Sequence, residues 1–329
     1  MMKTFKFSLV ALVATALFTA CSNEDAVQPI NGEAQEISFR LQGGTPEITT
    51  RAMATTLDKL EAFVVFGTDN LFSPGLLLDG VSVARQLDGT FAYAPKAYYS
   101  NGAASASFFA FSPVSANISG SVTTTSLLTA GASFDYEVLA PDGTGDAVQE
   151  DLLVTATTVT PSTAAVNLTF KHALSRIFVT AQNTANEPVI IKGISLMNLN
   201  TTGTLAVTNA SALTWTTTPS LDDYAYVLAP SGVVVPGGTT GKTLVTSMEQ
   251  GMMVLPQVTS NTGAAGDFAL EISYDFANLS NQTQIVKITD GYAFVAGNQY
   301  NINITFAGLL PIEFDVIDVD AFGAPIDVN

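Results

Sequence analysis

Apolar and polar residues alternate along most of this chain. Ile37, Phe39 and Leu41 are separated by Ser38 and Arg40, so an extended segment here carries one apolar face; a period of two marks a half-buried strand. Short apolar runs continue the pattern at residues 63–66, ending at Gly67, and at residues 107–111, ending at Ser112-Pro113. Others occupy 152–155, 166–170, 177–179 and 189–191, and later 204–207, 224–228, 251–255, 268–274, 285–288 and 300–306. Clusters of Gly, Pro, Asn and Asp lie between them, as turn chemistry requires. Helical periodicity is nearly absent, and its best candidate is the short stretch 171–177. Many short strands with turns at intervals of about 8–12 residues predict an all-β chain built as sandwiches or barrels. The stretch Asn183-Thr184-Ala185-Asn186-Glu187-Pro188 is the natural break near the middle. Two β-sandwich domains, 52–185 and 186–308, with a tail at 309–329, are the expected division.

The first 21 residues follow a different logic. Lys3 and Lys6 precede an apolar run at 7–18, and Thr19-Ala20-Cys21 follows. A basic start, a short apolar stretch and small residues at the cut describe an export signal. The run is shorter than the roughly 20 apolar residues of a membrane-spanning helix. Cys21, the only cysteine, turns the expectation toward a lipoprotein: residues 1–20 are the signal peptide, and the Cys21 thiol carries the lipid. Phe18 stands where such sites usually have Leu. An incidental cysteine beside an ordinary secretion cut and an uncleaved anchor are the alternatives. Residues 22–35 are polar, acidic and without period, as suits a tether between a membrane and a fold.

Charge and composition narrow the partners. The formal charge is −17, and residues 1–20 hold two lysines and no acid, so the exported chain carries −19. Such acidity disfavours nucleic acid and anionic lipid surfaces. A chain 47% hydrophobic and 12% charged is globular. With one cysteine it has no internal disulfide, so stability rests on apolar burial and sheet pairing.

Catalytic chemistry finds little support. His172 is the only histidine, so it has no second imidazole for a zinc site, and a structural role suits it better. No glycine-rich phosphate loop follows a strand and opens a helix. The acids at 142–146 and Asp315, Asp318 and Asp320 make incomplete calcium ligand sets. Trp215 reads as core or as a strand-edge plug rather than a sugar platform. No enzyme activity, cofactor or metal is expected.

Two distant segments look alike. Glu36-Ile37-Ser38-Phe39-Arg40-Leu41 and Pro311-Ile312-Glu313-Phe314-Asp315-Val316 both read Ile-x-Phe-x-(Leu or Val). Convergence of amphipathic strands is one explanation; two strands able to fill the same groove is the other. Residues 42–51 predict an exposed, turn-rich stretch ending at Arg51-Ala52, a bond suited to a trypsin-like protease. Cutting there would free the lipid together with the strand of Ile37, Phe39 and Leu41, leaving an apolar groove with unpaired backbone. The strand of Ile312, Phe314 and Val316 from another copy could fill it by strand addition. The apolar phase shifts at Val316-Ile317, as at a bulge, and Val319 continues it. Such a head-to-tail contact does not close on itself and builds a filament.

With these features stand Phe63-x-Val65-Phe66, Phe108-Phe109-Ala110-Phe111-Ser112-Pro113 and Phe170-Lys171-His172-Ala173-Leu174-Ser175-Arg176-Ile177. Later come Trp215 with Tyr226-Val227-Leu228-x-Pro230, then Met253-Val254-Leu255-Pro256-Gln257 and Phe294-x-x-Gly297-Asn298-x-Tyr300. In this order and spacing the chain resembles the fimbrillins, the type V pilins of Gram-negative gut and oral bacteria. The resemblance implies two tandem transthyretin-like β-sandwich domains and display as an outer-membrane lipoprotein. Lipoprotein signal peptidase and acyltransferases would process Cys21. An Arg-specific protease would cut Arg51–Ala52, making 21–51 a tether and propeptide. Ile37, Phe39 and Leu41 would form the removed strand, and Ile312, Phe314, Val316, Ile317 and Val319 the donor strand for identical or related subunits. Stalk, anchor and tip roles all stay open, as does a non-polymerising surface lipoprotein that binds a glycan or host protein.

Overall fold

The computed structural model describes residues 35–42, 60–139, 149–209, 212–238, 241–246, 251–259, 266–287, 293–308 and 312–321. Every regular element among them is a strand. In chain order these are β1 (Phe39–Leu41), β2 (Ala62–Asp69), β3 (Leu78–Arg85), β4 (Phe91–Ala92), β5 (Ala106–Ser112), β6 (Ile118–Thr123), β7 (Ala132–Glu137) and β8 (Leu153–Val159). Next come β9 (Val166–Leu168), β10 (Lys171–His172), β11 (Ser175–Asn183), β12 (Val189–Val207), β13 (Leu213–Val227), β14 (Val233–Val235) and β15 (Thr243–Leu244). The last are β16 (Met252–Val254), β17 (Gln257–Val258), β18 (Ala269–Phe276), β19 (Leu279–Lys287), β20 (Ala293–Phe294), β21 (Asn298–Phe306) and β22 (Glu313–Ala321).

One sheet explains the unbroken apolar runs of the first half. It has the order β10-β8-β5-β2-β3-β4, and its central strands β2 and β5 are covered on both faces. Phe63, Val65, Phe108 and Ala110 point into one core with Ile37, Phe39, Tyr93 and Phe170. Their neighbours Val64, Phe66, Phe109 and Phe111 point into the other, with Phe134 and Leu152. A strand covered on both faces has no polar face, so it reads as a continuous apolar run. Burying each such ring stabilises the fold by roughly 1.5–3 kcal/mol before the cost of ordering it.

Two further sheets draw on both halves: one of order β15-β11-β21-β22, with β16 also on β11, and one of order β19-β18-β12-β7-β6, with β13 and β14 also on β12. Here one expectation is corrected. The stretch 171–177 is not helical: Lys171 pairs with Val154 on β8, and β11 runs parallel to β21 from Arg176↔Gln299 to Asn183↔Phe306. β11 is buried at every position but Gln182. A strand covered on both faces loses its period of two, and its apolar spacing then imitates a helix.

Strand pairing also crosses the stretch 183–188. β11, before that break, lies in a sheet with β21, while β7 pairs with β12 through Phe134↔Leu205. The 19 residues of β12, at about 3.3 Å each, cover roughly 60 Å and run through both halves. Its start pairs with β14 and β18, its end with β7, and β13 runs beside it from Gly193 to Val207.

Side chains add contacts within and between the halves. The Gln149 amide donates to Met253 O (3.0 Å), and its oxygen accepts from Met253 N (2.7 Å). His172 Nδ1 lies 2.9 Å from the buried Asp151 carboxylate. The fully buried Arg176 guanidinium sits 4.5 Å from the Phe178 ring centre. Burial pulls its pKa down to about 10, against the opposing pull of Asp151. Trp215 packs edge-on to Tyr136 and donates Nε1–H to Ala173 O (2.7 Å).

Candidate functional site

The first strand is short but deeply seated. β1 runs parallel to β9 in the register Phe39↔Val166, Arg40↔Asn167 and Leu41↔Leu168. Val166 N donates to Ser38 O (2.7 Å) and Gln42 N to Leu168 O (3.0 Å). Before β1 the chain is held differently: Ile37 N donates to Ala97 O (2.9 Å) and Tyr99 N to Gln35 O (3.1 Å). The Tyr93 hydroxyl donates to Ile37 O (2.6 Å), and burial raises its pKa, so the donor proton is retained. Burial likewise pushes the neighbouring Tyr99 up to about 12.

The apolar face does most of the holding. Ile37 is fully buried, and Phe39 is 5% exposed. The Phe39 ring lies 5.5 Å from Phe108, 5.9 Å from Tyr93 and 6.0 Å from Phe63, edge-on to the first and last. Edge-to-face pairs of this kind add about 0.5–1.5 kcal/mol beyond the area they bury. The polar face contributes less. The Glu36–Lys96 ion pair at 2.5 Å is half-exposed, so solvent screens it, and Arg40 Nε donates to Asn167 Oδ1.

Taking β1 away would strip Ser38 O from Val166 N, Gln42 N from Leu168 O, and an acceptor from Tyr93. It would leave a trench floored by Phe63, Phe108 and Tyr93. Such a trench is chemically specific: it takes an extended segment with a branched apolar residue, a polar one, then an aromatic.

The place of this seat in the molecule follows from three sets of bonds. The Asp69 carboxylate accepts from Leu71 N (3.0 Å), Phe72 N (2.9 Å) and Ser100 N (2.7 Å). Asn70 Oδ1 accepts from Ala104 N (2.7 Å) and Ser105 N (3.0 Å). Glu36 bridges to Tyr98. Residues 35–36, 69–73 and 98–105 therefore form one end of the first half, and β1 enters its seat there. The open groove beside β1, lined by Arg40, Tyr99, Thr157 and Asn167, also touches Asn209, just beyond β12. The far end of β12 lies by loop 184–188, where Thr184 N donates to Phe306 O (2.9 Å). The mouth of the seat is thus marked by residues 35–36 and 98–105, and the end of β21 by loop 184–188.

The strand after β21 has a partner in its own chain. β22 pairs antiparallel with β21, from Thr305↔Glu313 to Asn298↔Ala321. The register slips between Ile302↔Ile317 and Asn303↔Asp315, which leaves Val316 as the extra residue where the apolar phase changes. β21 is a core strand, and an adjoining strand satisfies its outer row of backbone groups. β22 remains at the edge of its sheet, bonded on one side only among the described residues.

Ile37, Phe39 and Leu41 are thus brought together in one seat, and Ile312, Phe314, Val316, Ile317 and Val319 lie in and beside one strand elsewhere. Cys21, Arg51, Ala52 and residues 142–146 lie outside the described residues. No group of three metal-ligating side chains occurs among the described residues. The Asp69 staple was not anticipated, although Asp followed by Asn after an apolar run is a turn signal.

Comparison with known proteins places this architecture. The sequence profile of a family described as fimbrillin-like matches residues 50–317. No curated protein matches the sequence. Among solved structures, a fimbrial protein from Bacteroides vulgatus superposes with a TM-score of 0.61 at 15% identity, covering 87% of this chain and 99% of that one. A candidate cell adhesion protein from Bacteroides eggerthii gives 0.55 at 12% identity, covering 89% and 97%. Another from Bacteroides ovatus gives 0.53 at 14%, covering 88% and 98%. At these identities the likeness is one of fold.

Proposed function

We propose that this chain, which belongs to the fimbrillin-like family, is a structural subunit of a surface fimbrium that supports adhesion and performs no catalysis. It is exported as a lipoprotein with Cys21 acylated, reaches the outer surface, and is cut after Arg51 by an Arg-specific protease. β1 then leaves, and residues 312–319 of another copy enter the vacated seat. The filament that results is head-to-tail, and the polymerising chain from Ala52 carries −16, since residues 21–51 hold five acids and two arginines.

One observation carries this reading: a three-residue strand, which precedes the Arg51–Ala52 bond in sequence, fills the centre of an aromatic core. The same Ile-x-Phe order recurs in β22 and the residue before it. In β1's register Asp315 takes the position of Arg40, opposite Asn167. The Asn167 amide accepts from Arg40 now; turned over, it donates to a carboxylate.

Arg51→Ala is the direct test. The uncut chain should be recovered with its lipid, as monomers, while the natural chain begins at Ala52 and resists dissociation. Polymer formed at the natural level by the Arg51→Ala chain would refute the maturation step. A second reading draws on the pairing of β22 with β21: a surface lipoprotein that stays monomeric and binds a glycan or host protein. It predicts acylated Cys21 in detergent-soluble monomers.

A further inference from the structure

The loop after β2 presents two large apolar side chains to solvent. Leu71 is 57% exposed and Phe72 49%. Exposed apolar residues are common singly, but these are adjacent and their backbone is pinned. The buried Asp69 carboxylate holds Leu71 N and Phe72 N, and through Ser100 N it ties this loop to the next. Tyr98, 45% exposed, stands in that second loop and bridges to Glu36. A rigid apolar patch therefore flanks the mouth of the β1 seat.

We infer that Leu71, Phe72 and Tyr98 form the docking surface for the body of the preceding copy, whose loop 184–188 covers them in the filament. The inference rests on the strand-exchange reading and adds the surface where two bodies meet. Geometry commits it to that occupant. If Ile312 of a donor takes the place of Ile37, the chain from Phe306 to Ile312 reaches at most about 20 Å. The donor's body is therefore held close to the mouth. The part of that body nearest Phe306 is loop 184–188, tied to it by the bond from Thr184 N. Thr184, Asn186, Glu187 and Pro188 are exposed there. Mouth and loop are different surfaces of one molecule, so the contact is head-to-tail and can repeat without closing. Apolar anchors beside a strand-exchange site would let bodies pack instead of swinging on a short tether.

The test uses the full chain cut at Arg51, in natural form and as the double variant Leu71→Asp/Phe72→Asp. A synthetic peptide of residues 311–321 measures the groove, and sedimentation of polymer measures assembly. The peptide should bind both cut chains equally, while the variant should assemble at least roughly tenfold less at equal concentration. Equal peptide binding with natural assembly would overturn the docking surface. Failure of the peptide to bind the natural cut chain would overturn the strand-exchange reading, and the docking surface with it. Should the double Asp variant lose its fold by circular dichroism, Leu71→Ser/Phe72→Ser carries the same comparison.

Discussion

Phe39→Ala should lower the unfolding free energy of the uncut chain by about 3–5 kcal/mol, the range found when a buried phenylalanine is truncated. The upper part of that range is expected. The ring sits against Phe63, Tyr93 and Phe108, and all three are rooted in other strands or loops that cannot follow it inward. The loss also falls on a strand of three residues with few other supports. The Glu36 ion pair just before it is half-exposed and screened, and beyond the ladder to β9 the segment is held only by a few bonds to residues 93–99. The same substitution should have no effect on the chain once it has been cut at Arg51 and freed of β1, because Phe39 has then left. Chemical denaturation of both forms makes the comparison. A loss below about 1 kcal/mol in the uncut chain would show that β1 does not complete the core.

Removal of residues 311–329 should leave a folded chain that accepts a donor strand and cannot give one. β21 keeps its parallel partner β11, and Tyr300, Ile302, Ile304 and Phe306 are buried in the main core. What is lost is the edge strand and its ladder to β21. The truncated chain should unfold at a lower denaturant concentration yet still cooperatively. After the Arg51 cut it should form no filaments alone, and mixed with the natural chain it should stop growth where it is incorporated. Filaments of natural length from the truncated chain would sink the assignment of β22 as donor.

The strands at the two ends of the chain were legible in the sequence, for reasons that differ by element. The period of two in 37–41 marked β1 because one of its faces meets water. The phase change at Val316 announced the register slip opposite Ile302 and Asn303. β11 misled because both its faces are covered, and its partner β21 lies more than 120 residues on, beyond the reach of any local pattern. The passage of β12 through both halves was hidden for a like reason: a turn-rich stretch at 183–188 signals a turn between strands and says nothing about which sheets they join. Burial of Arg176 gave no sign, since a charged side chain over a phenylalanine ring is a tertiary fact.

The claim that the β1 seat receives β22 of another copy is tested most directly by a crosslink between the two. Chains carrying Asn167→Cys and chains carrying Asp315→Cys, cut at Arg51 and so freed of Cys21, are mixed and treated with a short thiol crosslinker. Within one chain β9 and β22 belong to different sheets. The account predicts a product that joins the two chains through residues 167 and 315, identified by mass spectrometry, and formed only after the cut. Polymer that assembles without this product, or a product that forms equally from uncut chains, would contradict it.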